Sequence, residues 1–444
     1  MRYLLLSGLL TGASLQGADT VIAWFDEGQV SGNVKYYYIQ TDKENPGVES
    51  SAHANSIGGR LHYETGRFKG FKAGATLMTT NGFALPDSVD TSILGRDNGV
   101  RLEKSAAGSE AQRSFAVLGE GYLQYTEKGT EFSYGRRVVK GPLISAKEVR
   151  MLPSAVQGAF ASYRSEYGAT YGLSYLTHFK QRTSEKFTDI VRHALGEQIE
   201  AITGSDSGGV AVASGSYRDA GLKLALYDYY AADFLNAFYA DASYQKGVNS
   251  RLAYGAALQF ISESSIGNAD DNLAAAGSAT GGKAIRANAV AVKGAVVYGA
   301  SRVTLAGSKV FGDADDHDSL VLPWDGTPLY TNMITSNNLF LSNYGKGLGA
   351  DSVYIGGSLG LKLSYTQKYG YKGLKTVLSY LVTDNDRFAD RQHDFNAVLS
   401  YSQERFSLAL KGIWVRHSSS ADATGLVSQT DRLTQYRVIA NYAF

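Results

Sequence analysis

The last nine residues, Tyr436-Arg437-Val438-Ile439-Ala440-Asn441-Tyr442-Ala443-Phe444, carry the pattern that decides the fold. In an extended chain Tyr436, Val438, Ala440, Tyr442 and Phe444 share one face, while Arg437 and Asn441 sit on the other with Ile439 and Ala443 between them. Successive side chains of a β-strand point to opposite faces. The stretch therefore reads as a strand with one wholly apolar face and one partly polar face, which suits lipid on one side and a watered lumen on the other.

Two features of the chain's ends agree. The strand closes on aromatic residues, and Tyr442 with Phe444 resembles the membrane-insertion signal of the final strand in bacterial outer-membrane barrels. At the other end Arg2 supplies a small positive region, Leu4 to Leu10 an apolar stretch, and Ser14-Leu15-Gln16-Gly17 a small-residue exit, the order of a secretory signal. The expected division is a signal peptide over residues 1–17 and one barrel domain over 18–444.

Composition narrows the class. The 444 residues show no internal boundary: only six prolines occur, and 50 glycines are spread along the whole length. Zero cysteines exclude a disulfide scaffold, and the seven histidines lack ligand spacing, so neither a metal nor another cofactor is expected. Forty-three basic against forty-two acidic residues give a net charge of +1, which offers no bulk attraction for nucleic acid. No apolar run is long enough for a spanning helix. Thirty tyrosines and 18 phenylalanines beside three tryptophans, in a background of Gly, Ala and Ser, fit a barrel with aromatic girdles at both interfaces.

Eighteen period-two segments can be placed, from 29–40 to 433–444. Their connections fall into two sets. Phe68-Lys69-Gly70, Glu127-Lys128-Gly129, Glu166-Tyr167-Gly168, Gln245-Lys246-Gly247, Lys372-Gly373 and Gln403-Glu404 are tight turns; the alternate connections, such as 81–113, 139–157, 183–209, 266–283, 312–351 and 418–431, are long. The expected fold is all-β: a single transmembrane antiparallel barrel of about 18 strands, with short periplasmic turns, long extracellular loops and one loop folded into the lumen.

Phe132-Ser133-Tyr134-Gly135-Arg136-Arg137, followed by Arg150-Met151-Leu152-Pro153-Ser154-Ala155-Val156-Gln157-Gly158-Ala159, resembles the strand and constriction loop of OprD-type (outer membrane porin D) substrate-specific channels. Thr304-Leu305-Ala306 leading to Gly312-Asp313, Leu329-Tyr330-Thr331-Asn332 and Tyr371-Lys372-Gly373-Leu374-Lys375 resemble later landmarks of that family, in the same order. The resemblance implies a porin in the outer membrane of a Gram-negative bacterium. It implies a monomer, with a trimer left open, whose third outer loop narrows the pore and whose basic side chains guide carboxylate-bearing solutes.

Strand parity gives candidates for those side chains. Placing the apolar faces in lipid turns Arg60, Arg137, Lys180, Lys223, Arg251, Arg286, Lys362 and Arg437 toward the lumen, as it does Lys35, Lys72, Arg182 and Lys411. A charge on the lipid face at mid-bilayer costs about 2–4 kcal/mol, so inward is the defensible side. Lys309 and Arg416 break the parity, which suggests a position near an interface. The candidate constriction loop is Val139–Gln157, with Lys140, Lys147 and Arg150 around Glu148, hydroxyls at Ser145 and Ser154, and a Gly141-Pro142 bend. Opposite it, Asp313, Asp315, Asp316 and Asp318 could face cationic groups or hold divalent ions at lipopolysaccharide.

Gly277–Lys283 approximates a phosphate-binding loop but lacks the closing Ser or Thr, and no G-x-S-x-G elbow is present, so no enzyme is expected. The expected function is passive, selective diffusion of small anionic or zwitterionic solutes bearing carboxylates, such as amino acids or organic and aromatic acids. A general porin, a barrel enzyme and a surface adhesin are the alternatives. Expected partners are these solutes, outer-membrane lipid and lipopolysaccharide, and the barrel assembly machinery. Which solute passes is open.

Overall fold

The computed structural model of the chain describes residues 20–45, 48–83, 93–95, 114–146, 150–205, 208–275, 282–334, 352–371, 373–385, 387, 390–419 and 429–444. The expected signal at 1–17, the candidate Lys147 and most of the glycine-rich stretch 277–283 lie outside the described residues.

Antiparallel strands make up nearly all of the structure. They are β1 (Gln29–Asn45), β2 (Val48–Glu64), β3 (Phe71–Phe83), β4 (Phe115–Glu127), β5 (Thr130–Arg137), β6 (Ala155–Arg164), β7 (Ala169–Lys180), β8 (Thr188–Asp189), β9 (Val210–Asp219), β10 (Leu222–Ala231), β11 (Leu235–Gly247), β12 (Leu252–Ser265), β13 (Arg286–Tyr298), β14 (Ser301–Phe311), β15 (Ser358–Lys368), β16 (Lys375–Asn385), β17 (Asp390–Gln403), β18 (Phe406–Ser419) and β19 (Gln429–Ala443). Each wall strand pairs with its neighbours in sequence, and β19 pairs with β1 to close the sheet. The two-residue β8 only extends the end of β7, which otherwise pairs with β9, so the wall among the described residues is an eighteen-stranded barrel. Closure leaves no strand edge unpaired, which a backbone in lipid requires.

The sequence writes the hairpins in its turn residues. Lys69-Gly70 (φ 49° and 88°), Lys128-Gly129 (43° and 83°) and Ala220-Gly221 (42° and 93°) place two successive residues in the left-handed region. That is the I′ geometry whose twist matches the flanking strands. At the opposite end the connections are long and carry, among the described residues, the short α-helices α1 (Ile190–Leu195), α2 (Ile199–Thr203) and α3 (Asn268–Ala275).

Burial alternates along the wall as the period-two pattern demands. On β15 Leu359, Leu361, Leu363 and Tyr365 are 39–55% exposed on the outer face, a set of apolar side chains that belongs in lipid. Two bulges change the phase. Thr76 pairs with Glu120 and Leu77 with Leu118, leaving Gly119 as the extra residue; an added Cβ there would lie 2.3 Å from Met78 Sδ. The inner face of β4 thus passes from Phe115 and Val117 to Glu120 and Tyr122. A second shift, between Gln157 and Gly158, leaves Thr177 as the extra residue on β7.

Candidate functional site

The interior is built from inward side chains of the wall and two loop segments folded against them. Basic residues on the inner face form a band over successive strands. Lys293 shares its face of β13 with buried Ala287, Ala289 and Ala291; Lys362 follows on β15, Lys375 on β16, Lys411 on β18, Arg437 on β19, Lys35 on β1 and Arg60 on β2. Lys411 and Arg437 are direct cross-strand partners, and Arg437 is 1% exposed. Lys411 has Arg437, Arg150 and Lys375 as charged neighbours.

Other candidates stand elsewhere. Arg137 is on the inner face, but its guanidinium bonds Glu131 at 3.1 Å and Ser133 Oγ at 2.8 Å and covers the Tyr122 ring. Lys223 is inward and exposed close to the short-turn end, opposite Arg218. Arg251 lies in the turn before β12, not in a strand, and is exposed. Arg286 takes the outer parity of β13 at its long-loop end, where it pairs with Asp270 at 2.7 Å and donates to the Ser265 and Ile285 carbonyls. Arg286 and Lys293 are seven residues apart and must face opposite ways, so the mid-strand cation takes the lumen and the terminal one is satisfied outside. Lys180 lies beyond the bulge at Thr177, which removes it from the parity assigned by alternation. Its ammonium is fully buried and donates to the carbonyls of Pro153, Gln181 and Ser184 at 3.2, 3.2 and 3.3 Å.

The first loop segment, described over 138–146 and 150–154, begins with a tight reversal in which Lys140 bridges Ser145. Its far end lies along the inner wall: Lys35 Nζ donates to the Arg150 and Met151 carbonyls at 3.2 and 3.1 Å, and Met151 and Leu152 pack with Tyr37, Ile39 and Met78. Burial first, and then the adjacent charge of Arg437, disfavours the ionised form of the Arg150 guanidinium, while Tyr37 supports it by a hydrogen bond.

A second segment, 319–334, also lies inside, and the parity and composition arguments missed it. Asp313 and Asp315 are exposed, Asp316 is half-buried and Asp318 pairs with Arg387, so the acidic cluster does not face the interior band. The residues after it do the packing. Leu320, Val321, Leu322, Trp324, Leu329 and Met333 are buried against Ile261, Ala289 and Val310 of the inner wall. Trp324 Nε1 donates to the Ile190 carbonyl at 2.9 Å, Gln259 to Pro328 O at 3.0 Å, Lys362 to Asn332 O, and Tyr330 to the Asp241 carboxylate. Lys293 Nζ sits 3.7 Å from the Tyr330 ring centroid. The run Leu320-Val321-Leu322 with Trp324, stranded in a long connection, was the available signal: such a run is costly in water.

The two segments meet. Ile144 bridges Asp325, Ser145 N donates to Trp324 O at 3.1 Å, Ser154 Oγ donates to Asp325 at 2.5 Å, and Arg182 pairs with the same carboxylate. A barrel interior narrowed by two braced loops, with cations gathered on one arc of wall, can admit small solutes and sort them by size and charge.

The family model for outer membrane porin, OprD family, matches residues 23–444. No curated protein sequence matches the chain. Among solved structures, Pseudomonas aeruginosa OccK9 (OpdG) is 18% identical, covers 95% of this chain and 99% of its own, and superposes with a TM-score of 0.72. P. aeruginosa OpdK with vanillate is 15% identical with the same coverage and a TM-score of 0.69. Acinetobacter baumannii OccAB1 is 13% identical, covers 97% of this chain and 99% of its own, and gives a TM-score of 0.73.

Proposed function

The chain belongs to the OprD family of outer membrane porins, and from that membership we propose that it passes small carboxylate-bearing solutes selectively and passively through its lumen. It is a channel of the outer membrane, not an enzyme. The observation that carries the substrate class is the arc of inward cations Lys293, Lys362, Lys375, Lys411, Arg437, Lys35 and Arg60. Cations gathered on one arc attract a carboxylate, and those open to the lumen can bond it in turn without any single one trapping it. The solved OpdK structure was determined with vanillate, an aromatic carboxylate, which agrees in chemistry. The signal at 1–17 is removed on export in this reading, and the porin works as a monomer.

Planar-bilayer recording under a salt gradient, with uptake of labelled amino acids and organic acids into liposomes, tests it. Wild-type protein should favour anions and carboxylates. Lys411→Glu reverses one charge at the centre of the arc and should shift the reversal potential toward cations and reduce carboxylate flux. Unaltered flux with persistent conductance would make the cations plain wall and the pore a general one.

A further inference from the structure

We propose that Asp325 is a positioning residue of the pore: by pinning the 138–154 and 319–334 segments to each other it sets the aperture, and with it the discrimination among solutes. The proposal rests on the channel reading above. The wall cannot adjust its own width, since every strand is hydrogen-bonded to two neighbours. The loops can. Each is fastened to a different side of the barrel, the first to Lys35 of β1 and the second to Lys362 of β15 and Gln259 of β12. The contacts that join them gather on Asp325 and on its neighbour Trp324, whose carbonyl accepts from Ser145 N.

Asp325 takes Ser154, the last residue before β6, and Arg182, just after β7, on its two carboxylate oxygens. Its backbone is bridged to Ile144. It is 8% exposed and holds φ at 62°, a left-handed conformation that Asp tolerates better than most residues. The next residue, Gly326, lies so close to the first loop that an added Cβ would be 2.3 Å from the Leu143 carbonyl oxygen. The loops therefore touch backbone to backbone, and the acid adds a charge-assisted link through Ser154. Removing the carboxylate deprives Ser154 of its acceptor and leaves the Arg182 guanidinium uncompensated beside the joint, which favours separation of the loops over a relaxed contact.

The chain has no cysteine, which allows a covalent substitute for the link. Asp325→Ala should roughly double the single-channel conductance and erase the preference for carboxylates over chloride, while barrel assembly, read by heat-modifiable migration, stays at the wild-type level. Ile144 and Asp325 face each other as antiparallel bridge partners, a spacing a disulfide spans. Ile144→Cys/Asp325→Cys, with the bond verified by mass before recording, should return conductance and preference to the wild-type level when oxidised and lose both on reduction; Ile144→Cys alone is the control. Wild-type conductance and selectivity in Asp325→Ala would overturn the proposal. So would an enlarged, unselective conductance in the oxidised double variant, since the acid would then act through its charge on the solute. Absence of carboxylate preference in the wild-type protein is a separate result and bears on the substrate reading alone.

Discussion

Replacing Lys180 with Met should loosen the constriction loop without altering the charge a solute meets. The methionine keeps the length of the side chain but removes a donor shared by three buried carbonyls. Gln181 O retains the Ser184 amide as a partner, so the carbonyls left without this donor are those of Pro153 and Ser184. Each buried acceptor deprived of its partner costs about 1–3 kcal/mol. Of the two, Pro153 is on the loop, so docking should weaken by about 1–3 kcal/mol, roughly ten- to a hundredfold in the population of the undocked form. The loss is local, because the strand pairing of β7 with β6 and β9 is untouched. The assay is single-channel recording, in which Lys180→Met should add current fluctuations, together with limited proteolysis between residues 146 and 154, which should accelerate. If Lys180 were a wall charge, the trace would stay quiet and anion preference would fall instead. A quiet trace with unchanged proteolysis refutes the tether.

Phe444→Ala should reduce the amount of heat-modifiable barrel in outer-membrane fractions, since it removes the ring that packs over Gly32 where β19 meets β1; equal amounts would count against this. His317 is buried, and burial first and Lys283 second hold its imidazole at about 4, below the ordinary 6.5. A base depressed on folding leaves stability intact above pH 6.5 and lost as pH falls toward 4, by about 3 kcal/mol at most. Protection of the Arg286 amide, which donates to His317 O, should fall across that window and should not in His317→Gln.

The barrel was legible because its determinants are local. Each strand carries its own alternation, and each I′ turn its own Xaa-Gly pair, so eighteen segments read from sequence correspond to eighteen wall strands within a few residues at most ends. The largest departures are at 48–54, which lengthen β2 at its start, at 352–357, which precede β15 as a short helix and turn, and at 41–45, which lengthen β1. Phase was harder than existence. On β13 alanines alternate with valines, so both faces are apolar and hydrophobicity alone cannot choose between Arg286 and Lys293. At Thr177 one inserted residue moves Lys180 off the face that alternation assigns, and no residue type announces that bulge.

Counting charges also conceals which of them a solute can sense. Lys72 with Glu64, Arg137 with Glu131 and Arg182 with Asp325 are neutralised by partners within contact. The Arg182–Asp325 pair joins residues 143 apart, beyond the reach of any window read along the sequence. Lys411, by contrast, has the cations Arg437, Arg150 and Lys375 as charged neighbours among the described residues, and Lys362 has Lys293 with Asp394 as the offset. An array of like charges in a confined, partly dehydrated space projects a field that paired charges do not, because opposite charges in contact cancel beyond a few ångströms. The attraction for an anionic solute is therefore concentrated on the arc from β13 through β19 to β2, where Lys35 and Lys362 also hold the loops, whereas the pairs Lys72–Glu64 and Arg137–Glu131 largely cancel.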